Sequence, residues 1–145
     1  MAGHGFADSV IDAREQGLTE PDPRLDLSGV DVARKLVIAA RAAGLPLAPD
    51  QVAIDSLVPP GQDELPLERF LQQRRALDLH WQSVAAECPG EGAFVRHVGR
   101  IISDSGTGFE ARVGLRRYNA AHPFAQVSPG DNIVAIRTAA YCDNP

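Results

Sequence analysis

The pattern of apolar and polar positions predicts helices in the first part of the chain. Phe6, Val10 and Ala13 recur at helical spacing ahead of Gly17, which predicts a short amphipathic helix that ends at a glycine cap. A long helix is predicted from about residue 67 to 87, closed by Pro89-Gly90. Its apolar stripe consists of Leu67, Phe70, Leu71, Leu77, Trp81, Val84 and Ala85. We expect the two aromatic residues of this stripe to anchor the core rather than to stack on a ligand.

Between these two, a further helix is predicted from about Gly29 to Ala43, ending before Gly44. Ser28 is typical of an N-cap, with Asp31 three residues later as the carboxylate of a capping box. The packing side carries Ala33, Leu36, Val37 and Ala40. Asp31 and Lys35 lie one turn apart on another side, with Ile38 and Ala39, so the charged pair can face a cleft while the helix packs.

In the second part of the chain, apolar and polar residues alternate as they do in strands. Residues 51–58 are predicted as a strand that ends at Pro59-Pro60. Further strands are expected near residues 93–103, 108–118 and 132–141. Apolar residues at positions 109, 111, 113 and 115 alternate with polar or small ones, which indicates a sheet with one buried face. Helices followed by a strand meander predict an α+β domain with a mostly antiparallel (mixed) sheet and helices packed on one face.

Composition places the chain among globular domains. It has 145 residues, enough for one domain, with 44% hydrophobic and 23% charged residues. A net charge of −5 argues against binding to nucleic acid or to anionic membranes. No apolar stretch approaches the roughly 18 residues of a membrane span, and the start lacks a basic region followed by an apolar run, so we expect a cytoplasmic protein. In that compartment Cys88 and Cys142 are expected to be free thiols.

The histidines do not indicate a metal site. His4, His80, His97 and His122 are scattered, without an i, i+4 pair or a Cys/His cluster. His97 falls in a predicted strand with no visible partner for acid–base chemistry, so a packed strand histidine is the expectation.

The chemically most suggestive stretch is TEPDPRLDLSGVDVARK, residues 19–35, which holds four acids and three bases. Pro21 and Pro23 fix their own φ and extend the residue before each, which stiffens the loop. A purely structural interpretation is also open. The i, i+4 pair of Asp31 and Lys35 can be an ordinary surface ion pair of about 0.3–0.5 kcal/mol. The acid at the helix start also favours the helix dipole, and the other acids can simply solvate the loop.

The run TEPDPRLDLSGVDVARKLVIAAR resembles the substrate-site signature of homoserine dehydrogenase, especially the form in bifunctional aspartate kinase–homoserine dehydrogenases. The similarity continues in order through QVAIDSLVP at residues 51–59, residues 94–102 and 109–116, and HPF at residues 122–124 up to Tyr141. It is weakest between residues 60 and 92. Leu18 stands where the family commonly has tyrosine, so a contact through that hydroxyl would be missing here.

The resemblance implies a reaction and residue roles. The family interconverts L-aspartate 4-semialdehyde and L-homoserine by hydride transfer with NAD(P)H, in threonine and methionine biosynthesis. By resemblance, Lys35 stabilises and protonates the carbonyl oxygen, and Asp31 orients Lys35 and contacts the substrate hydroxyl. Glu20 receives the substrate ammonium, and Asp26 completes the electrostatics of the site. Asp22 and Arg24 match signature positions for which we expect a role in loop structure.

The resemblance also implies what surrounds this domain. The sequence has no G-x-G-x-x-G dinucleotide loop, and the Gly106/Gly108 pair is typical of a hairpin turn. We therefore interpret the chain as a catalytic and dimerisation domain of a longer protein. NADP or NAD would bind in the parent enzyme, and the fragment alone, with no cofactor bound, would be inactive. A homodimer through the other face or an edge of the sheet is implied. The alternative is a non-catalytic dimerisation or amino-acid-binding module that kept the loop for structure.

Overall fold

The computed structural model describes residues 5–104, 108–128 and 130–138. The elements in chain order are helices α1 (Phe6–Glu15), α2 (Arg24–Leu27) and α3 (Val30–Ala42), strand β1 (Val52–Ile54), helices α4 (Leu67–Gln72) and α5 (Arg74–Ala86), and strands β2 (Phe94–Asp104) and β3 (Gly108–Tyr118). Short 3-10 turns cover Pro49–Gln51 and Pro123–Ala125. Helices therefore come first and a strand hairpin follows, as the sequence predicts.

The three strands form one mixed sheet in the order β1-β3-β2. Strands β2 and β3 pair antiparallel along their whole length, from Phe94 opposite Tyr118 to Asp104 opposite Gly108. Strand β1 adds a short parallel edge, with Val52 opposite Ala111. The expected α+β class with a mostly antiparallel sheet is confirmed, and the strand ends fit the predicted hairpin, whose turn at 105–107 lies outside the described residues.

The core is built where α3 covers one face of the sheet. Its members are Ala33, Val37, Ala40, Leu47, Val52, Ala111 and Val113. The predicted packing side of α3 is thereby confirmed, while Asp31, Lys35, Ile38 and Ala39 are exposed. A second cluster joins α1 to the α4–α5 region through Ala7, Val10, Val58, Phe70 and Leu77. The Trp81 ring stacks on Phe6 with centroids 4.3 Å apart, and Phe70 belongs to the second cluster. Trp81 and Phe70, the two aromatic residues predicted to anchor the core, therefore both pack inside the domain.

Two predicted elements are shorter than their apolar patterns suggest. The strand predicted for residues 51–58 is reduced to Val52–Ile54, because the chain leaves the sheet at Asp55 and the Leu57 N–H donates to the Leu27 carbonyl at 2.9 Å. The helix predicted for residues 67–87 is broken at Gln73, whose ψ of 41° is not helical. There Gln73 accepts a hydrogen bond from the buried Gln62 at 3.3 Å, so a contact distant in sequence overrides the helical period.

The strand predicted near residues 132–141 is wrong over residues 132–137, which carry no strand. Thr138 makes an isolated bridge, and the rest of that range lies outside the described residues. Tyr141, Cys142 and His4 also lie outside them, whereas Cys88 is buried and unpaired. Within the described ranges, no helix has both the length and the apolar character needed to cross a membrane.

The predicted N-cap of α3 is also wrong. Ser28 donates its hydroxyl to the Leu25 carbonyl at 2.8 Å, because the loop contains an unpredicted helical turn, α2, that ends there. Gly29 takes the N-cap position of α3 with a left-handed φ of 76°, and Ser28 Oγ, one residue earlier, accepts only a long hydrogen bond of 3.4 Å from the Val30 N–H. The predicted capping box is therefore absent, and Asp31 is left to bond elsewhere.

Candidate active site

Arg24 holds the acidic loop to the body of the domain. Its Nη1 donates to the carbonyls of Gln62, Asp63 and Leu65 at 3.0, 3.0 and 2.6 Å, and its guanidinium lies 5.3 Å from the centroid of the Phe70 ring. Its Nη2 pairs with Asp22 Oδ2 at 2.6 Å, and only 14% of the Arg24 side chain is exposed. Hydrogen bonds from Arg24 hold the pKa of the Asp22 carboxyl below its usual value. These contacts agree with the loop-structure role expected for both residues.

Glu20 and Asp26 are brought together within this loop. Asp26 Oδ2 accepts the backbone N–H of Glu20 at 3.0 Å. The next peptide is fixed as well, since Arg14 Nε donates to the Pro21 carbonyl at 2.8 Å. The Glu20 side chain is exposed and has no hydrogen-bond partner among the described residues. The loop therefore exposes the Glu20 carboxylate to solvent, and the Asp26 carboxylate holds the backbone that carries it.

Asp31 and Lys35 form the second pair. Lys35 Nζ lies 2.9 Å from Asp31 Oδ2 on the outward side of α3, with 61% and 60% of the side chains exposed. Lys35 Nζ also lies 3.4 Å from Asn132 Oδ1. Asn132 is 97 positions away from Lys35 in the sequence, and it was not predicted from the sequence as a site residue. No sequence pattern signals that contact. Among the described residues, no hydrogen bond or ion pair joins this pair directly to Glu20 and Asp26.

His97 lies beneath the start of α3. A Cβ at Gly29 would stand 2.8 Å from His97 Cε1, so the ring is in close contact with the glycine that begins the helix. His97 Nε2 is 3.3 Å from the Asp55 carbonyl, which fits a donor at Nε2. Burial lowers the pKa of His97, so the ring is neutral near pH 7. The expected packed strand histidine agrees with this arrangement.

A cleft of about 360 Å³ lies behind the loop. Its polar members include Thr19, Asp26 and His97, and its walls are mostly apolar. The apolar lining consists of Phe6, Val10, Ala13, Pro23, Leu27, Leu57, Trp81, Val95 and Leu115. Asp31 and Lys35 do not line it, so they belong to the open surface in front of α3.

The described residues do not fit a dinucleotide or a metal ion. A dinucleotide cradle needs a strand, a glycine-rich turn and a helix N-terminus in succession. Strand β2 leads to β3 rather than to a helix, and the loop of residues 55–66 between β1 and α4 contains a single glycine, Gly61. No group of three or more His, Cys, Asp or Glu side chains in the described part of the chain could hold a metal.

Comparison with known proteins gives consistent matches over the whole chain. The homoserine dehydrogenase family profile matches residues 1–144. A bifunctional aspartokinase/homoserine dehydrogenase 2 of Zea mays is 42% identical over 97% of this chain and 15% of its own length. The Escherichia coli bifunctional aspartokinase/homoserine dehydrogenase 2 is 41% identical over 97% of this chain and 17% of its own. A homoserine dehydrogenase of Schizosaccharomyces pombe is 38% identical over 97% of this chain and 37% of its own.

A solved structure shares the fold. The crystal structure of a Candida auris protein of unknown function superimposes with a TM-score of 0.69 and 32% identity. The match covers 89% of this chain and 36% of that one.

The α+β fold and these matches define a domain that recurs in homoserine dehydrogenases and in bifunctional aspartokinase/homoserine dehydrogenases. The chain belongs to the homoserine dehydrogenase family, whose members use nicotinamide cofactors. It spans 15–37% of the length of the relatives named above.

Proposed function

We propose that this chain is the substrate-binding catalytic domain of a homoserine dehydrogenase. The parent protein would interconvert L-aspartate 4-semialdehyde and L-homoserine with NADP or NAD, in threonine and methionine biosynthesis. The observation that carries the proposal is the Asp31–Lys35 pair, 2.9 Å apart on the outward side of α3. It occupies the signature run of a chain that matches the family from residue 1 to 144.

Lys35 has the chemistry that aldehyde reduction requires. Negative charge develops on the carbonyl oxygen, and a fixed ammonium both stabilises that charge and supplies a proton. In homoserine oxidation the same nitrogen, once neutral, accepts the hydroxyl proton. Asp31 is a carboxylate one turn away that orients the ammonium and can accept a hydrogen bond from the substrate hydroxyl.

Glu20 and Asp26 have the chemistry to bind the amino-acid end of the substrate. The Glu20 carboxylate is exposed and unpaired among the described residues, as a receptor for a substrate ammonium would be. Asp26 supports the Glu20 backbone at 3.0 Å and adds negative charge beside it. Two acids on a loop held by Arg24 therefore offer a preorganised site for a cationic group.

The nicotinamide cofactor is proposed to bind in another part of the parent protein. The sequence has no G-x-G-x-x-G loop, and the described residues form no strand–turn–helix cradle. The choice between NADP and NAD is open, and the cytoplasmic location stays a prediction, because the plant relatives are named as chloroplastic proteins.

A homodimer through the sheet is the proposed assembly. On the face of the hairpin away from α3, Arg100 lies opposite Arg112 and Arg96 opposite Arg116, and like charges in direct opposition are destabilising. Asp55 binds Arg112 through two hydrogen bonds of 2.7 Å, but Arg100 and Arg116 have no hydrogen-bond or ion-pair partner among the described residues. A groove of about 570 Å³ on this face is lined by three arginines and three carboxylates, so a second copy of the chain can pair its carboxylates with these arginines.

The first test is Lys35→Ala in the full-length parent protein, assayed by homoserine-dependent NADP or NAD reduction. We expect kcat to fall about 10²–10³-fold, the usual effect of removing one donor to a developing oxyanion. The melting temperature should hardly change, because the side chain is 61% exposed.

Arg34→Ala is the matched control for Lys35→Ala. Arg34 is the exposed neighbour on α3 and has no side-chain partner among the described residues, so its loss should leave kcat near wild type. Near-normal turnover in Lys35→Ala would instead favour a non-catalytic dimerisation or amino-acid-binding module.

A further inference from the structure

The Lys35 ammonium contacts side chains from two distant parts of the chain. Asp31 Oδ2 lies 2.9 Å from Nζ and Asn132 Oδ1 lies 3.4 Å from it. An ammonium has three N–H donors and no acceptor; Asn132 accepts one of them and Asp31 is its ion-pair partner, so donor capacity remains for a further acceptor. In the proposed reaction that acceptor is the carbonyl oxygen of the aldehyde.

Asp31 alone would fix the ammonium weakly. Both side chains of that pair are about three-fifths exposed, and exposed i, i+4 ion pairs contribute little to stability. A lysine side chain also loses rotamer entropy when it is held in one geometry. A second acceptor that approaches from a different segment restricts the directions in which the nitrogen can swing.

Asn132 is placed by its own local structure. The preceding residue, Asp131, donates its backbone N–H to the Ser128 carbonyl at 3.1 Å, which closes a turn immediately before the amide. The turn belongs to the segment after β3, whereas Asp31 belongs to α3. The two acceptors therefore come from independent parts of the fold.

We propose that Asn132 is a positioning residue for Lys35, which orients its ammonium so that a free N–H points at the substrate carbonyl oxygen. This rests on the proposed dehydrogenase function of the domain. Asn132 is not a catalytic residue in this proposal, since it acts through Lys35.

The amide suits this role better than a carboxylate. A neutral oxygen orients the ammonium without adding a second negative charge to that of Asp31. A proton donor must release its proton as the alkoxide forms, and a second carboxylate would hold that proton more tightly. Orientation and proton release are therefore compatible with asparagine at this position.

The test compares Asn132→Ala and Asn132→Asp in the full-length protein, in the direction of homoserine oxidation. Asn132→Ala should lower kcat about tenfold with KM for homoserine within about twofold, because orientation affects the reacting geometry rather than the hold on the amino acid. Asn132→Asp should lower kcat at neutral pH. It should also move the rise of activity with pH upward by roughly 0.5–1 pH unit, because the added charge favours the ammonium form.

Asn119→Ala is the control, since Asn119 is exposed and its side chain has no partner among the described residues. It should leave kcat and the pH profile unchanged. The melting temperatures of all variants check folding. If the alanine variant is unstable, the nearly isosteric Asn132→Asp variant still tests the proposal through its kcat and pH profile.

The proposal is overturned if both Asn132 variants keep the wild-type kcat and pH profile. It is also overturned if they lose activity only in proportion to lost stability, with the pH profile unmoved, since that is a structural effect. Lys35→Ala separates the two hypotheses. If that variant turns over normally, the proposed function fails and this proposal with it; if it is inactive while Asn132 variants are normal, only this proposal fails.

Discussion

At the scale of single residues, some carboxylates of the acidic loop hold its backbone in place, whereas another is exposed to solvent. Asp22 and Arg24 hold the loop to residues 62–65, and Asp26 holds the backbone of Glu20. Glu20 is the acid whose side chain has no hydrogen-bond or ion-pair partner among the described residues, and so it is the one available to a substrate. The family resemblance assigns these acids different roles, and the contacts of Asp22 and Asp26 show which carboxylates hold the loop.

The Asp22–Arg24 pair should make the fold sensitive to acid. The pKa of Asp22 is lowered in the folded state by hydrogen bonds from Arg24, so its stabilising contribution is present above the unfolded pKa and is lost as pH falls through the folded pKa. We expect Asp22→Asn to lower the free energy of unfolding at pH 7 by about 1–2 kcal/mol. We also expect it to flatten the loss of stability between about pH 5 and pH 2, measured by urea denaturation of this chain.

Asp50→Asn is the control for this pH dependence, because Asp50 is exposed with no side-chain partner among the described residues. If Asp22→Asn and Asp50→Asn show the same acid dependence as wild type, Arg24 does not hold the Asp22 carboxylate in solution.

At the scale of elements, the junction of α2 and α3 sets the direction of the helix that carries Asp31 and Lys35. Gly29 links the two helices with a left-handed φ of 76°. Behind it lie His97, Val113 and Ile54, with the atoms nearest to a hypothetical Cβ at 2.8, 3.1 and 3.2 Å. The start of α3 is therefore pressed directly on the sheet, with no room for a side chain at the junction.

Gly29→Ala should destabilise the domain by about 2–5 kcal/mol. The left-handed backbone costs an alanine about 1–2 kcal/mol, and the crowded Cβ adds an overpacking term of about 1–3 kcal/mol. Gly44→Ala isolates the first effect, because Gly44 has a φ of 84° and nothing within 4 Å of its hypothetical Cβ. Equal losses in urea denaturation for the two variants would contradict the close packing of Gly29 on His97.

At the scale of the whole molecule, the domain supplies acids, a lysine and a charged sheet face, but no dinucleotide cradle among its described residues. We expect the purified 145-residue chain to fold, to sediment as a dimer and to show no homoserine-dependent NADP reduction. Turnover by this chain alone would contradict the proposed division of labour, and a monomer in sedimentation equilibrium would contradict the proposed sheet interface. The full-length protein, assayed in parallel, is the positive control.

The sequence by itself determined the features that depend on neighbours three or four residues apart or on alternation. These are α1 with its glycine, the packing side of α3, the common side of Asp31 and Lys35, the positions of β2 and β3 and the α+β class. Their physical basis is local, since helical and strand periods fix which side chains share a face. The family resemblance of residues 19–35 was also present in the sequence alone.

Only the tertiary structure decided the features that depend on contacts distant in sequence. The parallel pairing of β1 with β3, the break at Gln73, the replacement of Ser28 by Gly29 at the start of α3 and the approach of Asn132 to Lys35 are of this kind. Arg24 shows the reason most clearly. Its three carbonyl partners lie 38 to 41 residues away, and no local period specifies which distant backbone groups a buried guanidinium will satisfy.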